Sequence, residues 1–170
     1  MEFLKIVGLA ILAGIVYGIV HDQVTARICV EYFTVFHPPV FHTQSPTLLA
    51  FGWGIIATWW VGAFLGVCLA LSCRVGSSPK IYAAGMVKPI AWLLLAMAFC
   101  AFVAGCAGYF WGDVPDYMRD LLAPSLQRRF LADWWAHSAS YASGFLGGMV
   151  LCAVMLRRRM MSAEVALAES

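Results

Sequence analysis

Four long apolar runs separated by polar stretches set the pattern of this chain: Leu4 to Val20, Leu48 to Ser72, Pro89 to Trp111 and approximately Trp135 to Leu156. A helix rises about 1.5 Å per residue and the hydrocarbon core of a bilayer is about 30 Å thick, so a span takes about 17–25 apolar residues. Each run meets that length. Each is expected to be helical, because a lone segment in lipid must satisfy its backbone internally. The expected fold class is an all-α membrane protein, a four-helix transmembrane bundle with an extracytoplasmic polar cap. It forms a single membrane domain over 1–170, with spans near 4–20, 48–72, 89–111 and 135–156 and outer loops at 21–47 and 112–134.

Small residues recur along these runs at spacings that let helix backbones approach closely. Ala10, Gly14 and Gly18 form one ladder; Gly62 with Gly66, Ala101 with Gly105, Ala104 with Gly108, and Ser140 with Gly144 and Gly148 form others. They predict a tight bundle, and the same Gly-rich faces suit a homo-oligomer. The first run also has the look of a signal peptide, with Lys5, an apolar core and Val24-Thr25-Ala26 resembling a cleavage site. Its small-residue ladder favours retention.

Prolines mark the element boundaries. Pro79 and Pro89 suit the first turns of a short interfacial helix and of the third span; Asp113-Val114-Pro115-Asp116 reads as a helix start. Pro124 starts a helix running through Asp133 into the fourth span. Pro38 and Pro39 must end whatever precedes them. Residues 21–36 read equally as a continued helix or, over Arg27 to Val35, as a strand rich in β-branched residues. Ser162 to Ser170 reads as a short frayed tail. Trp111 closes the third span and Trp134 with Trp135 opens the fourth, at the headgroup level these residues prefer, whereas Trp53, Trp59 and Trp60 lie deeper, in packing or lipid contact.

Composition agrees with the pattern, at 62% hydrophobic and 12% charged residues against about 25% charged in soluble domains. The net charge of +2 is too small to imply a nucleic-acid partner; the partner implied is the lipid bilayer. Lys5, the Arg74, Lys80 and Lys88 connection, and Arg157, Arg158 and Arg159 place both termini in the cytoplasm. Arg119, Arg128 and Arg129 lie on the other side and weaken the rule there, but the inner cluster near helix ends decides the orientation.

The stretch from His21 to His42 is the polar anomaly. It holds His21, Asp22, Arg27, Cys29, Glu31, His37 and His42. On the fourth span Asp133, His137 and Tyr141 recur every four residues and so share a face, at the same membrane level as His21 and Asp22. Ionisable residues at membrane depth are costly and mark functional positions. Imidazole and carboxylate together suit zinc, copper or iron, so His21, Asp22, Glu31, His37, His42, Asp133 and His137 are the candidate ligands of a divalent transition metal, with Arg27 and Tyr141 supporting them. If the first helix continues, Arg27 and Glu31 fall four apart and can pair. The competing reading is structural hydrogen bonding by the same groups. No C-x-x-C is present, which removes zinc knuckles and redox pairs. Five cysteines belong to apolar runs or their ends, and Cys29 alone lies in polar sequence. Ser138, Ser140 and Ser143 near His137 lack the strand-turn-helix setting of a serine nucleophile.

Three functions fit these residues: a site for a divalent transition metal or a small polar ligand, an oligomeric proton- or ion-conducting module, and a non-catalytic assembly or scaffold subunit. The middles of all four spans are nearly free of ionisable groups, which disfavours transport by one protomer.

The run His21-Asp22-Gln23, Thr25-Ala26-Arg27, Cys29-Val30-Glu31-Tyr32-Phe33-Thr34 and His37-Pro38-Pro39 resembles a signature of small bacterial multi-span membrane proteins of uncharacterised function. The likeness extends through Pro46 to Ala50 and Ala57 to Gly62. In those proteins a glycine precedes the histidine, where this chain has Phe36. The resemblance implies a bacterial inner membrane location and no activity.

Overall fold

The structure, a computed structural model, describes residues 1–168. Their helices are α1 (Glu2–Ile28), α2 (Val30–Thr34), α3 (Pro46–Ile56), α4 (Trp59–Arg74), a 3-10 turn (Ala83–Met86), α5 (Val87–Trp111), α6 (Asp116–Arg119) and α7 (Pro124–Ala168), with no strand among the described residues. Four rods are long and apolar enough to cross a membrane: Glu2–Ile28, Pro46–Arg74, Ala83–Trp111 and Pro124–Val165. Their outward faces are greasy, with Val20, Phe99 and Phe102 61%, 68% and 70% exposed. Water would not tolerate such a surface, and lipid is its natural solvent.

Two helix pairs make the bundle: α1 lies antiparallel along α3 and α4, and α5 antiparallel along α7, while the pairs meet mainly where α4 runs beside α7. Within the first pair the backbones nearly touch. A Cβ on Gly54 would stand 2.6 Å from the Ile19 amide nitrogen, and one on Gly18 would stand 2.6 Å from the Gly54 carbonyl oxygen. The ladders expected from sequence therefore act inside the protomer.

The stretch that reads as helix or strand is helical. Nothing between Val20 and Arg27 breaks a helix, and α1 runs on to Ile28, with the Thr25 hydroxyl donating to the His21 carbonyl at 3.2 Å. Cys29 then turns the chain off the helical path (φ −147°, ψ 93°). One turn of α2 follows, and the Pro38-Pro39 pair ends it. The second rod breaks at Ala57–Thr58 between α3 and α4. The Tyr141 hydroxyl of α7 donates to the Ala57 carbonyl there, at 3.4 Å.

At the opposite end, Arg159 is 2% exposed and donates to the carbonyls of Ser72, Val75, Ser78 and Pro79 at 2.6–3.0 Å, gathering the end of α4 and its following loop onto α7. This residue, read from sequence as one of three orientation charges, is a buried clamp. The short helix expected at Pro79 forms instead as the 3-10 turn at Ala83. The tail expected at Ser162 continues α7 to Ala168, and its last residues, Glu169 and Ser170, lie outside the described residues.

Overpacking a close contact costs about 1–3 kcal/mol. Gly54→Ala forces a methyl group into the Ile19 backbone, whereas a methyl group added at Gly8 would meet nothing within 4 Å. Thermal unfolding in mild detergent should therefore show a clear loss of stability for Gly54→Ala and none for Gly8→Ala; equal melting temperatures would refute the close-approach account.

Candidate functional site

The last turns of α1 and the upper part of α7 present His21, Asp22 and His137 to one another. One ligand-type atom from each lies within 4.8 Å of the others. Asp22 and His137 are buried, at 6% and 9% exposure. His137 Nε2 stands 3.3 Å from Asp22 Oδ1, and His137 Nδ1 stands 2.8 Å from the Asp133 carbonyl oxygen. A carbonyl only accepts, so Nδ1 carries a proton. A neutral His137 then turns the bare lone pair of Nε2 toward a carboxylate oxygen. Something positive has to lie between them, either a proton held by one partner or a cation. His21 adds a second open valence, since its Nε2 is buried with no hydrogen-bond partner. Its ring stands edge-on to His137, centroids 4.6 Å apart.

The roof over these groups is aromatic. The turn at Cys29 lets α2 fold back, so that Tyr32 stacks on the His137 ring at 4.5 Å and Phe33 meets it edge-on at 5.6 Å. Phe33 also packs with Ala26, Leu49 and Trp53, and the Phe36 ring lies tilted against Phe130 with centroids 4.3 Å apart. His37 stays near the site, its Nδ1 donating to the Tyr32 carbonyl at 2.8 Å and its ring 4.7 Å from Trp53. Burial holds the His37 imidazole below its usual range, against the opposing pull of that hydrogen bond, and burial likewise raises the Tyr32 phenol. Below the histidines, the Tyr17 and Ser140 hydroxyls bond each other at 2.6 Å and tie α1 to α7.

The remaining candidate ligands lie elsewhere. Glu31 accepts from the Cys29 thiol at 3.5 Å. His42 is exposed and lines a separate surface hollow with Pro38 and Pro39. Asp133 is fully buried on α7, but its carboxyl oxygens have no hydrogen-bond partner and its link to His137 is through the backbone carbonyl alone. The neighbouring Cys29 amide is spent on the Thr25 carbonyl at 3.0 Å. Arg27 does not reach Glu31. It binds the Gln23 side chain and the Thr47 hydroxyl at 2.6 and 2.8 Å, because the helix ends before a fourth residue can follow it on the same face. Tyr141, expected beside the ligands, lines the same cavity as His21, Asp22 and His137 and also serves the helix break described above.

Sequence reasoning passed over Tyr17, Tyr32, Phe33 and Trp53 as site residues. For Tyr17 the signal was present, four residues before His21 and so on the same helical face. Ser140 was weighed as a nucleophile and as a member of a small-residue ladder, not as a partner for Tyr17. Ser138 and Ser143, its companions in that reading, bond the carbonyls of Trp134 and Ala139 in their own helix at 2.8 and 2.6 Å.

The cluster stands at the head of a cavity of about 150 Å³ that continues between the two helix pairs to Leu69 and Leu151. Compared with known proteins, the chain finds no counterpart: no family model, no curated protein and no solved structure matches it.

Cys29, the one cysteine in polar sequence, is 1% exposed, and burial pushes its thiol up to about 12. Only the thiolate reacts readily with alkylating reagents. Maleimide at pH 8 should leave Cys29 unlabelled in the folded protein and label it after denaturation in SDS, as read by peptide mass spectrometry. Rapid labelling of the folded protein would contradict this packing.

Proposed function

We propose that this protein binds a divalent transition metal ion through His21, Asp22 and His137 in the plane of a bacterial inner membrane, near its extracytoplasmic surface. The observation that carries the reading is the His137 ring, committed through Nδ1 to a carbonyl and facing Asp22 Oδ1 through Nε2. Metal-binding histidines commonly hold their second nitrogen in this way, which fixes the ring and the tautomer. The spacing agrees: ligands about 2.0–2.1 Å from a tetrahedral zinc ion stand about 3.3 Å apart, and His137 Nε2 to Asp22 Oδ1 is 3.3 Å. His21, whose ligand atom lies within 4.8 Å of the other two, completes the set by moving in by up to about 1.5 Å, a rotamer-scale adjustment.

Two histidines and one carboxylate leave coordination positions open, as in catalytic zinc and non-haem iron sites. Those positions would face the cavity and admit a small polar ligand. The orientation follows from the basic residues at the other end of the bundle, which favour cytoplasmic termini. The histidines and their aromatic roof then form the extracytoplasmic cap. Zinc, iron and copper are all compatible with this donor set.

Elemental analysis of protein extracted in mild detergent tests the proposal. About one equivalent of zinc, iron or copper is expected, falling at least tenfold in His21→Ala and His137→Ala. Added zinc at 100 times its Kd should stabilise the stripped protein by about 2.7 kcal/mol. A metal-free preparation whose melting temperature ignores zinc, iron and copper would sink the reading.

A further inference from the structure

At the end of the bundle opposite the histidines, a hollow of about 400 Å³ opens between α7 and the connection from α4 to α5. It lies where the rods Pro46–Arg74 and Ala83–Trp111 end, which is the level of the lipid headgroups. One wall is made by Lys80, Ile81, Tyr82 and Met86, the other by Arg158 and Ser162. No carboxylate lines it among the described residues.

The charge at this end is strongly one-sided. Seven of the eleven Lys and Arg residues lie here, from Lys5 through the connection after α4 to Arg157, Arg158 and Arg159. The acidic groups described at this end are Glu2 and Glu164. Glu2 is committed to Lys5 at 2.6 Å and to the Ala83 amide at 3.1 Å, and Glu164 stands clear of the hollow, six residues beyond Arg158 on α7.

Not every cation here is free. Arg159 spends its guanidinium on four carbonyls, and Arg74 lies over the Tyr82 ring at 5.2 Å. The exposed Arg158 guanidinium has no partner among the described residues. Lys80 gives one N–H to the Gly76 carbonyl and keeps two, since an ammonium has three. Arg159 therefore positions rather than binds. By gripping Ser78 and Pro79 it fixes the loop against α7 and sets Lys80 across the hollow from Arg158.

Two unspent cations facing each other suit a phosphate, which takes a forked contact from Arg and a point charge from Lys. The walls then choose its source. Ile81, Met86 and the half-open ring of Tyr82 are of no use to a free phosphate, but they suit the glycerol and first methylenes of a lipid, and tyrosine favours this membrane level. The space also fits: about 400 Å³ is room for about 13 waters at about 30 Å³ each, against about ten non-hydrogen atoms in a glycerol phosphate. We infer that this hollow binds the headgroup of an anionic phospholipid, its phosphate between Lys80 and Arg158 and its chains in the surrounding bilayer. The inference is independent of the metal site, with which it shares no residue.

Native mass spectrometry of the full chain in detergent tests it. Dioleoylphosphatidylglycerol should bind at least tenfold more tightly than dioleoylphosphatidylcholine, which has the same chains and a phosphate already neutralised by choline. The double variant Lys80→Gln/Arg158→Gln should lose phosphatidylglycerol binding about tenfold. Lys88→Gln/Arg157→Gln removes the same charge from the same end but outside the hollow, and should stay within about twofold of wild type. Excess glycerol 3-phosphate should leave the lipid bound. Equal binding of the two lipids, which needs no variant to measure, would overturn the inference. So would equal losses in the two double variants, the mark of a diffuse basic surface, or displacement of the lipid by glycerol 3-phosphate, the mark of a site for free phosphate esters.

Discussion

Helices in lipid gain little by hiding apolar side chains from one another, so a bundle of this kind is held by close backbone packing and by polar groups that have nowhere else to go. Here the two devices are divided between two jobs. Backbone contact at Gly18 and Gly54 binds α1 to α3 and α4. Between the pairs, Asp22–His137, Tyr17–Ser140 and Tyr141–Ala57 are the polar ties at the histidine end. Because each pair is tight within itself and the pairs meet along a narrow seam, a cavity persists between them. The site and the cavity therefore have one origin, which is two well-packed hairpins that do not close fully on each other.

Burial sets the electrostatic character of that seam. In a medium of low dielectric an unpaired polar atom costs far more than at a surface, and native proteins leave few of them. Among the described residues the buried side-chain atoms without a partner are His21 Nε2 at the cluster and both oxygens of Asp133, one turn before His137 on α7. At the far end Arg159 shows the opposite solution, a buried charge with four carbonyls gathered around it.

Much of the architecture was legible in the sequence because it follows from local properties. Apolar run length, proline positions and small-residue spacing are features of the chain itself, and they place four helices near the observed ones. The course of residues 21–36 was ambiguous because β-branched Ile28, Val30, Thr34 and Val35 suit a strand as well as a helix, and the structure makes the stretch helical in α1 and α2 on either side of Cys29. The site was half legible. Tyr141 and Asp133 do share a face with His137, but whether side chains on one face meet depends on where the neighbouring helix ends, and α1 ends in a turn at Cys29 that no residue type announces. For the same reason Arg27 misses Glu31. Arg159 could not be told from Arg157 and Arg158 by composition, since only the position of the loop after α4 distinguishes them.

The length of α7 has a mechanical consequence. Its 45 residues form one uninterrupted helix, and His137 and Arg159 are both anchored side chains on it. They lie about 33 Å apart at 1.5 Å per residue, so a tilt of about 2° pivoted at one moves the other by about an ångström. That is a large displacement on the scale of a hydrogen bond. The helix is thus a stiff lever whose two fulcra stand at opposite ends of the bundle, and the geometry at either end sets the strain at the other.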